Sequence, residues 1–181
     1  MTVKKFVFEI NYFFPTSDQI VYKYGKVIQG FDLAKAEVYR QNNLLKLNID
    51  QFEEVALIDQ LILCTNISSI SIGSINFSSE VTKVNGTFKE FAYYNDFYHF
   101  CYDIFSMEIV SFDNYFDNKE VVATSPEQFL KFLVEYNKHY RGMIFEMSYS
   151  KLQSLEILNK LIEEGFSKRW INELMPGWSQ L

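Results

Sequence analysis

The sequence predicts a single α+β domain: an antiparallel or mixed sheet of about five to seven strands, packed by helices on one side. Three observations carry this. The 181 residues are 48% hydrophobic and 18% aromatic, with Gly 7 and Pro 3. That is one domain's worth of chain, with enough apolar surface to offset the entropy of ordering it. In the middle of the chain apolar residues recur every second position, interrupted by Asn85-Gly86 and Asn95-Asp96, the pattern of strands joined by hairpins. After Ser125-Pro126 the period lengthens to three or four, as in helices with one apolar face. Disordered, collagen-like, mucin-like and linker classes are excluded by the same numbers.

Val3 to Phe14 reads as a strand, with Val3, Phe6, Phe8, Ile10 and Tyr12 close to alternation before the turn cluster Pro15-Thr16-Ser17-Asp18. Ile20 to Ile28 reads as a second strand with Gly25 as a bulge or turn, so the chain is expected to open with a hairpin. Asp32 is placed to cap a helix running to Leu45, with Leu33, Ala36, Val38 and Tyr39 at mixed helical spacing. Asp50 to Leu63 is a stronger helix. Phe52, Val55, Ala56, Ile58, Leu61 and Ile62 crowd one side, and Glu53 and Glu54 suit the positive end of its dipole.

From Asn66 to Ser79 the period is two, with small polar breaks. Asn85-Gly86 then turns the chain into a strand over Thr87–Tyr94. Past Asn95-Asp96, Phe97 to Phe105 places Tyr98, Phe100, Tyr102 and Ile104 on one face, with His99, Cys101 and Asp103 on the other. Glu108–Phe112 and Lys119–Thr124 complete a meander of about five strands. Ser125-Pro126-Glu127-Gln128 has the composition of a capping box with proline at the first helical position. Phe129, Phe132, Leu133 and Tyr136 continue it as a helix to about His139. Ser150 to Gly165 is a further helix with Leu152, Leu155, Leu158, Leu161 and Ile162 inward, and Lys168–Met175 is a last short one stopped by Pro176-Gly177.

The formal charge of -6 comes from 17 basic and 23 acidic side chains. Residues 1–89 hold nine of each sign and residues 121–181 seven of each. The whole imbalance therefore lies in residues 90–120, where Glu90, Asp96, Asp103, Glu108, Asp113, Asp117 and Glu120 face only Lys119 among eleven aromatic residues. Such a segment repels phosphates and attracts a basic partner, or else it is the wet face of a sheet whose other face is core. No secretion signal is expected, because Glu9 and Asn11 interrupt the apolar start, and no segment approaches the roughly 20 residues that span a bilayer. The sequons at Asn66, Asn76 and Asn85 are then chance, and Cys64 and Cys101 read as buried thiols of a cytoplasmic protein. The scarcity of arginine against lysine points to an AT-rich, bacterial source.

Catalytic patterns are thin. His99 and His139 lie in no metal-binding spacing, and there is no CxxC pair, phosphate loop or nucleophile elbow. The expectation is a non-enzyme without metal or cofactor. His99, Cys101 and Asp103 share a strand face, but residues two apart on a strand sit about 6–7 Å from one another. Asp113, Asp117 and Glu120 could gather a cation, though at no calcium-loop spacing.

The run Phe88 to Leu133 resembles the later half of a SUKH-superfamily domain, the fold shared by a fungal cell-wall-assembly regulator and many bacterial toxin-immunity proteins. The matching pieces are Phe91-Ala92, the strand His99 to Ile104, Glu108 to Asp113, and Val121-Val122-Ala123 leading through Ser125 into Glu127 to Leu133. The Leu-Pro helix start and Asn-Gly-Gly turn of that family are missing. Residues of about 1–50 form an N-terminal hairpin-helix extension and about 142–181 add C-terminal helices. The resemblance implies a cytoplasmic immunity protein that neutralises a cognate toxin by covering it, the partner being a basic protein delivered by secretion or contact, with no nucleic acid or membrane. The contact candidates are Tyr94, Asp96, Tyr98, Asp103, Glu108, Asp113, Tyr115 and Asp117. A scaffold or regulatory module that binds a host protein without inhibiting it is the alternative.

Overall fold

A computed structural model, describing residues 1–48 and 55–178, has one six-stranded antiparallel sheet in which every strand pairs with its neighbours in sequence. The strands are β1 (Ser71–Ile72), β2 (Ile75–Asn85), β3 (Phe88–Tyr94), β4 (Tyr98–Asp103), β5 (Ile109–Asp113) and β6 (Lys119–Ala123). The fold is α+β, with helices α1 (Val3–Tyr12), α2 (Ser17–Tyr24), α3 (Leu33–Asn43), α4 (Leu57–Cys64), α5 (Pro126–Phe145), α6 (Lys151–Glu163) and α7 (Lys168–Leu174).

Turn chemistry sets the meander. Asn95 and Asp96 both have left-handed backbones, at φ 52° and 54°, as a tight hairpin turn between twisted strands demands. Gly73, at φ 59°, turns β1 into β2 beneath α5; a Cβ there would lie 2.2 Å from the Tyr136 hydroxyl oxygen, which accepts the Ser74 N–H at 3.0 Å. In β2 the stretch between Phe77 and Thr82 opposes only Phe91 of β3, a bulge that bends the strand.

One face of the sheet holds Phe91, Phe100, Tyr102, Ile109 and Val122, which join Phe6, Leu61, Phe129, Leu133 and Trp170 in the main core. On the opposite face Cys101, Val110 and Phe112 are buried by Val84, Phe88 and Phe116, a cluster with no helical member among the described residues. The outer face is therefore apolar at its centre, and its long side chains shield one another.

The N-terminus departs from expectation. In place of a hairpin, residues 3–12 and 17–24 form α1 and α2. Val3, Phe6, Val7 and Ile10 are buried at helical spacing, whereas Phe8 and Tyr12, which create the apparent alternation, are 67% and 70% exposed. Thr16 and Gln19 form a reciprocal capping box at the start of α2. Gly25 ends that helix, and a third helix follows from Asp32, whose carboxylate accepts the Lys35 N–H at 3.0 Å. Phe52, Glu53 and Glu54 lie outside the described residues, and α4 spans Leu57–Cys64.

Of the strand expected over 66–79, the first part is a 3-10 turn (Ile67–Ser69) before the short β1. Ser125 caps α5 through the Gln128 N–H, but the Gln128 side chain accepts from Thr124 N (3.0 Å) and donates to Glu164 O (2.9 Å), leaving the predicted box half closed. Helix α5 passes His139 and Gly142 and ends at Glu146, whose backbone is left-handed. In α6, Leu158 and Leu161 are buried but Leu152 points to solvent. The outer edge of β6 meets the start of α7: Ser167 N donates to Val122 O at 2.8 Å, and the Arg169 guanidinium pairs with Glu120. Among the described residues no helix is long and apolar enough to cross a membrane.

Candidate functional site

Strand register decides which of the sequence-predicted contact residues meet. Tyr94 lies opposite Tyr98, and Tyr98 opposite Asp113. Six candidates thus gather at one end of the sheet: Tyr94, Asp96, Tyr98, Asp113, Tyr115 and Asp117. Asp103 and Glu108 flank the β4–β5 turn at the other end, about 17 Å along β4. The set divides into two.

The β5–β6 turn is braced by its own carboxylate. Asp113 Oδ1 accepts the N–H groups of Tyr115 and Asp117, each at 3.1 Å, and Oδ2 accepts from Asn118 Nδ2 at 2.5 Å. These bonds, that from the Asn118 side chain foremost, hold the Asp113 carboxyl below its ordinary range. Phe116, at φ 56°, tucks its ring against Phe112 and His99. Tyr115 is left 78% exposed on a fixed backbone. Asp113 itself is nearly buried, so it shapes the turn and offers little surface.

Asp103 builds a similar turn at the far end, accepting from Phe105 N (2.8 Å), Ser106 N (3.2 Å) and Thr87 Oγ1 (2.8 Å). Its carboxyl is also held low, the Phe105 N–H being the leading cause. The residue displayed is Phe105, 79% exposed. Sequence reasoning missed Phe105. The available signal is an aspartate ending a strand with an aromatic residue two positions on, present at both Asp103 and Asp113.

Beside the Asp113 turn, Phe97, Tyr98, Ser111, Asn118, Lys119 and Arg169 line a groove of about 530 Å³. Tyr98 packs edge-on against Phe97 and Trp170, with centroids at 4.8 and 5.2 Å, and its hydroxyl accepts from Arg169 Nη2 at 3.3 Å. Tyr94 is corrected from contact residue to core. It is 8% exposed, packs on Trp170, and donates its hydroxyl to Glu173 Oε1 at 3.4 Å. Burial pushes its phenol up.

The carboxylates of residues 90–120 are largely engaged within the fold. Glu90 meets His99 Nδ1 at 3.1 Å, Glu120 pairs with Arg169, and Glu108 accepts from Ser106 Oγ at 3.3 Å. Only Asp96 and Asp117, both exposed, keep side chains with no partner among the described residues.

Neither alternative chemical cluster assembles. Cys101 is buried with Val110 and Phe112, and burial, followed by the nearby Glu90 charge, raises its thiol to about 12. His99 turns instead to Glu90 and Asn114, and Asp103 to its own turn. Among the described residues no group of three or more His, Cys, Asp or Glu side chains is arranged to hold a metal ion. Comparisons of the chain with protein-family models, curated proteins and solved structures gave no match.

Proposed function

We propose that this protein is a non-catalytic binding domain that covers a basic protein partner with the Asp113 end of its sheet, in the manner of the toxin-immunity proteins that Phe88–Leu133 resembles. One observation carries the reading: Tyr115 is exposed on a turn fixed by three hydrogen bonds, next to a groove walled by Phe97 and Tyr98. A rigid aromatic anchor loses little conformational freedom on binding, and aromatic residues dominate interface energies. The unengaged Asp96 and Asp117 flank the anchor and suit a partner of opposite charge. The pieces quoted for the resemblance fold as four strands and a Ser125-capped helix, the element types that the reading expects.

The test has two stages. Affinity capture from the native cell followed by mass spectrometry names the partner, and calorimetry with purified components then compares the native chain with Tyr115→Ala and Phe97→Ala. Expected is a saturable complex with a basic protein, weakened by about 30-fold or more by Tyr115→Ala. A partner held with unchanged affinity by both variants removes this end of the sheet from the interface.

A further inference from the structure

His139, in the second half of α5, is 7% exposed and ties the C-terminal turn to the helix. Its Nδ1 lies 2.9 Å from Trp178 Nε1 and 3.0 Å from Tyr149 Oη. An indole N–H can only donate, so Nδ1 accepts and the proton of the neutral imidazole sits on Nε2. Trp178 meets the imidazole edge-on, with centroids at 5.4 Å, and stacks on Tyr149 with centroids at 6.4 Å and planes 16° apart. The chain before α6 is pressed close to α5, since a Cβ on Gly142 would lie 2.5 Å from Tyr149 Cε1. With Leu155, Leu158, Ile162 and Ile171, Trp178 also lines the seam between α6 and α7.

This arrangement holds only for a neutral ring. A proton added at Nδ1 sets two N–H donors against each other, and the indole has no lone pair to answer it; only the Tyr149 oxygen could turn to accept. Nε2 is buried with no acceptor among the described residues, so a charged ring gains no compensating bond there. Burial first, and Lys151 second, hold the imidazole below its ordinary 6.5. The other groups around it are few. Tyr149 comes from the segment before α6 and Lys151 from α6 itself, while Glu135, one turn back on α5, is paired with Lys138 and acts on the Tyr149 phenol. The turn 176–178 brings no titratable side chain.

We propose that His139 and Trp178 form a proton-released latch, closed at neutral pH and opened in mild acid, whose opening lifts Trp178 off the α6–α7 seam and bares Leu158 and Ile171. The open form takes up its proton near the ordinary 6.5, the closed form only at lower pH. The ratio of open to closed is therefore constant above that value. Below it the ratio rises about tenfold for each pH unit, until the closed form is protonated too.

Hydrogen exchange of the Trp178 indole N–H tests this, followed by NMR on the full chain from about pH 7.5 to about pH 5 and corrected for the intrinsic rate. Trp178→Phe identifies the resonance by deleting it, and the Trp170 indole, buried in the main core, reports global opening. Expected is protection at Trp178 that falls about tenfold per pH unit in the acid part of the range, with no parallel fall at Trp170. His139→Asn keeps an acceptor near the Nδ1 position but does not titrate, and should abolish the fall. Independently of that variant, Trp178→Ala opens the imidazole to water and should return the NMR titration midpoint of His139 toward 6.5. Protection at Trp178 that stays flat overturns the latch, as does a fall that is matched at Trp170 or persists in His139→Asn. So does a His139 midpoint unmoved by Trp178→Ala.

Discussion

The Asp103 and Asp113 turns are built alike and stand at opposite ends of the same sheet. Each begins with an aspartate that gathers two backbone N–H groups and one side-chain donor, and each holds a bulky residue in a left-handed backbone, Met107 at φ 60° and Phe116 at φ 56°. Each displays one aromatic ring. They differ in their surroundings. Met107 packs toward the main core, whereas Phe116 packs on the outer face and the turn that carries Tyr115 borders, through Asp113 and Asn118, the groove that Phe97, Tyr98 and Arg169 line. Local sequence can make a rigid aromatic tip at either end. Only the tertiary neighbours distinguish them, and they matter because a hot spot needs a surrounding rim that excludes water.

The most disruptive way to break the comparison is to remove the floor of the Asp113 end. Trp170, which packs on Tyr94, Tyr98 and Phe100, should cost about 3–5 kcal/mol of unfolding free energy when changed to alanine, read by urea denaturation. Hydrogen exchange should then show the Tyr98 and Asp113 ends of β4 and β5 losing protection before the Asp103 turn does. Next in size is the pair of tip truncations. Tyr115→Ala should weaken the complex by about 2 kcal/mol while Phe105→Ala changes it within about twofold, and equal losses would show that both ends touch the partner. A smaller effect concerns acid. Both turn carboxyls are depressed below the ordinary 3.8, so their stabilisation is complete above that value and is lost as the pH falls through the lower folded one. Asp113→Asn and Asp103→Asn should each flatten the acid limb of melting temperature against pH. Smallest are Asp96→Asn and Asp117→Asn, expected to alter stability by no more than about 0.5 kcal/mol. Together they should slow association with a basic partner at low salt, and an unchanged rate would leave the charge without a steering role.

The sheet was legible because its signals are local. Asn85-Gly86 and Asn95-Asp96 dictate tight turns, and alternation at Tyr98, Phe100 and Tyr102 matches the observed inner face. The N-terminal helices were misread because Phe8 and Tyr12 are large apolar residues on an exposed face, so they overlay a false period of two on the buried Val3, Phe6, Val7, Ile10 stripe. The capping box of Thr16 and Gln19 would have marked α2, but the preceding proline drew the reading toward a turn. For the candidate site, composition names Asp96, Tyr98, Tyr115 and Asp117, which the strand register brings to one end of the sheet. Composition could not tell that Tyr94 faces Trp170, or that Asp103 and Asp113 spend their charge on backbone N–H groups, since both depend on register and loop path.

The contact of Ser167 and Arg169 with β6 limits how this protein can meet another chain. A free strand edge invites extension by a foreign strand, the route to many peptide complexes and to fibrils alike. Here the carbonyl of Val122 on β6 is already occupied by the start of α7, whereas β1 pairs only with Ile75 and Asn76 of the eleven-residue β2. Strand addition is thus blocked at the α7 end of β6 and directed to the remaining length of β2, where the bulge between Phe77 and Thr82 and the charged Glu80 and Lys83 make the edge a poor template for self-association.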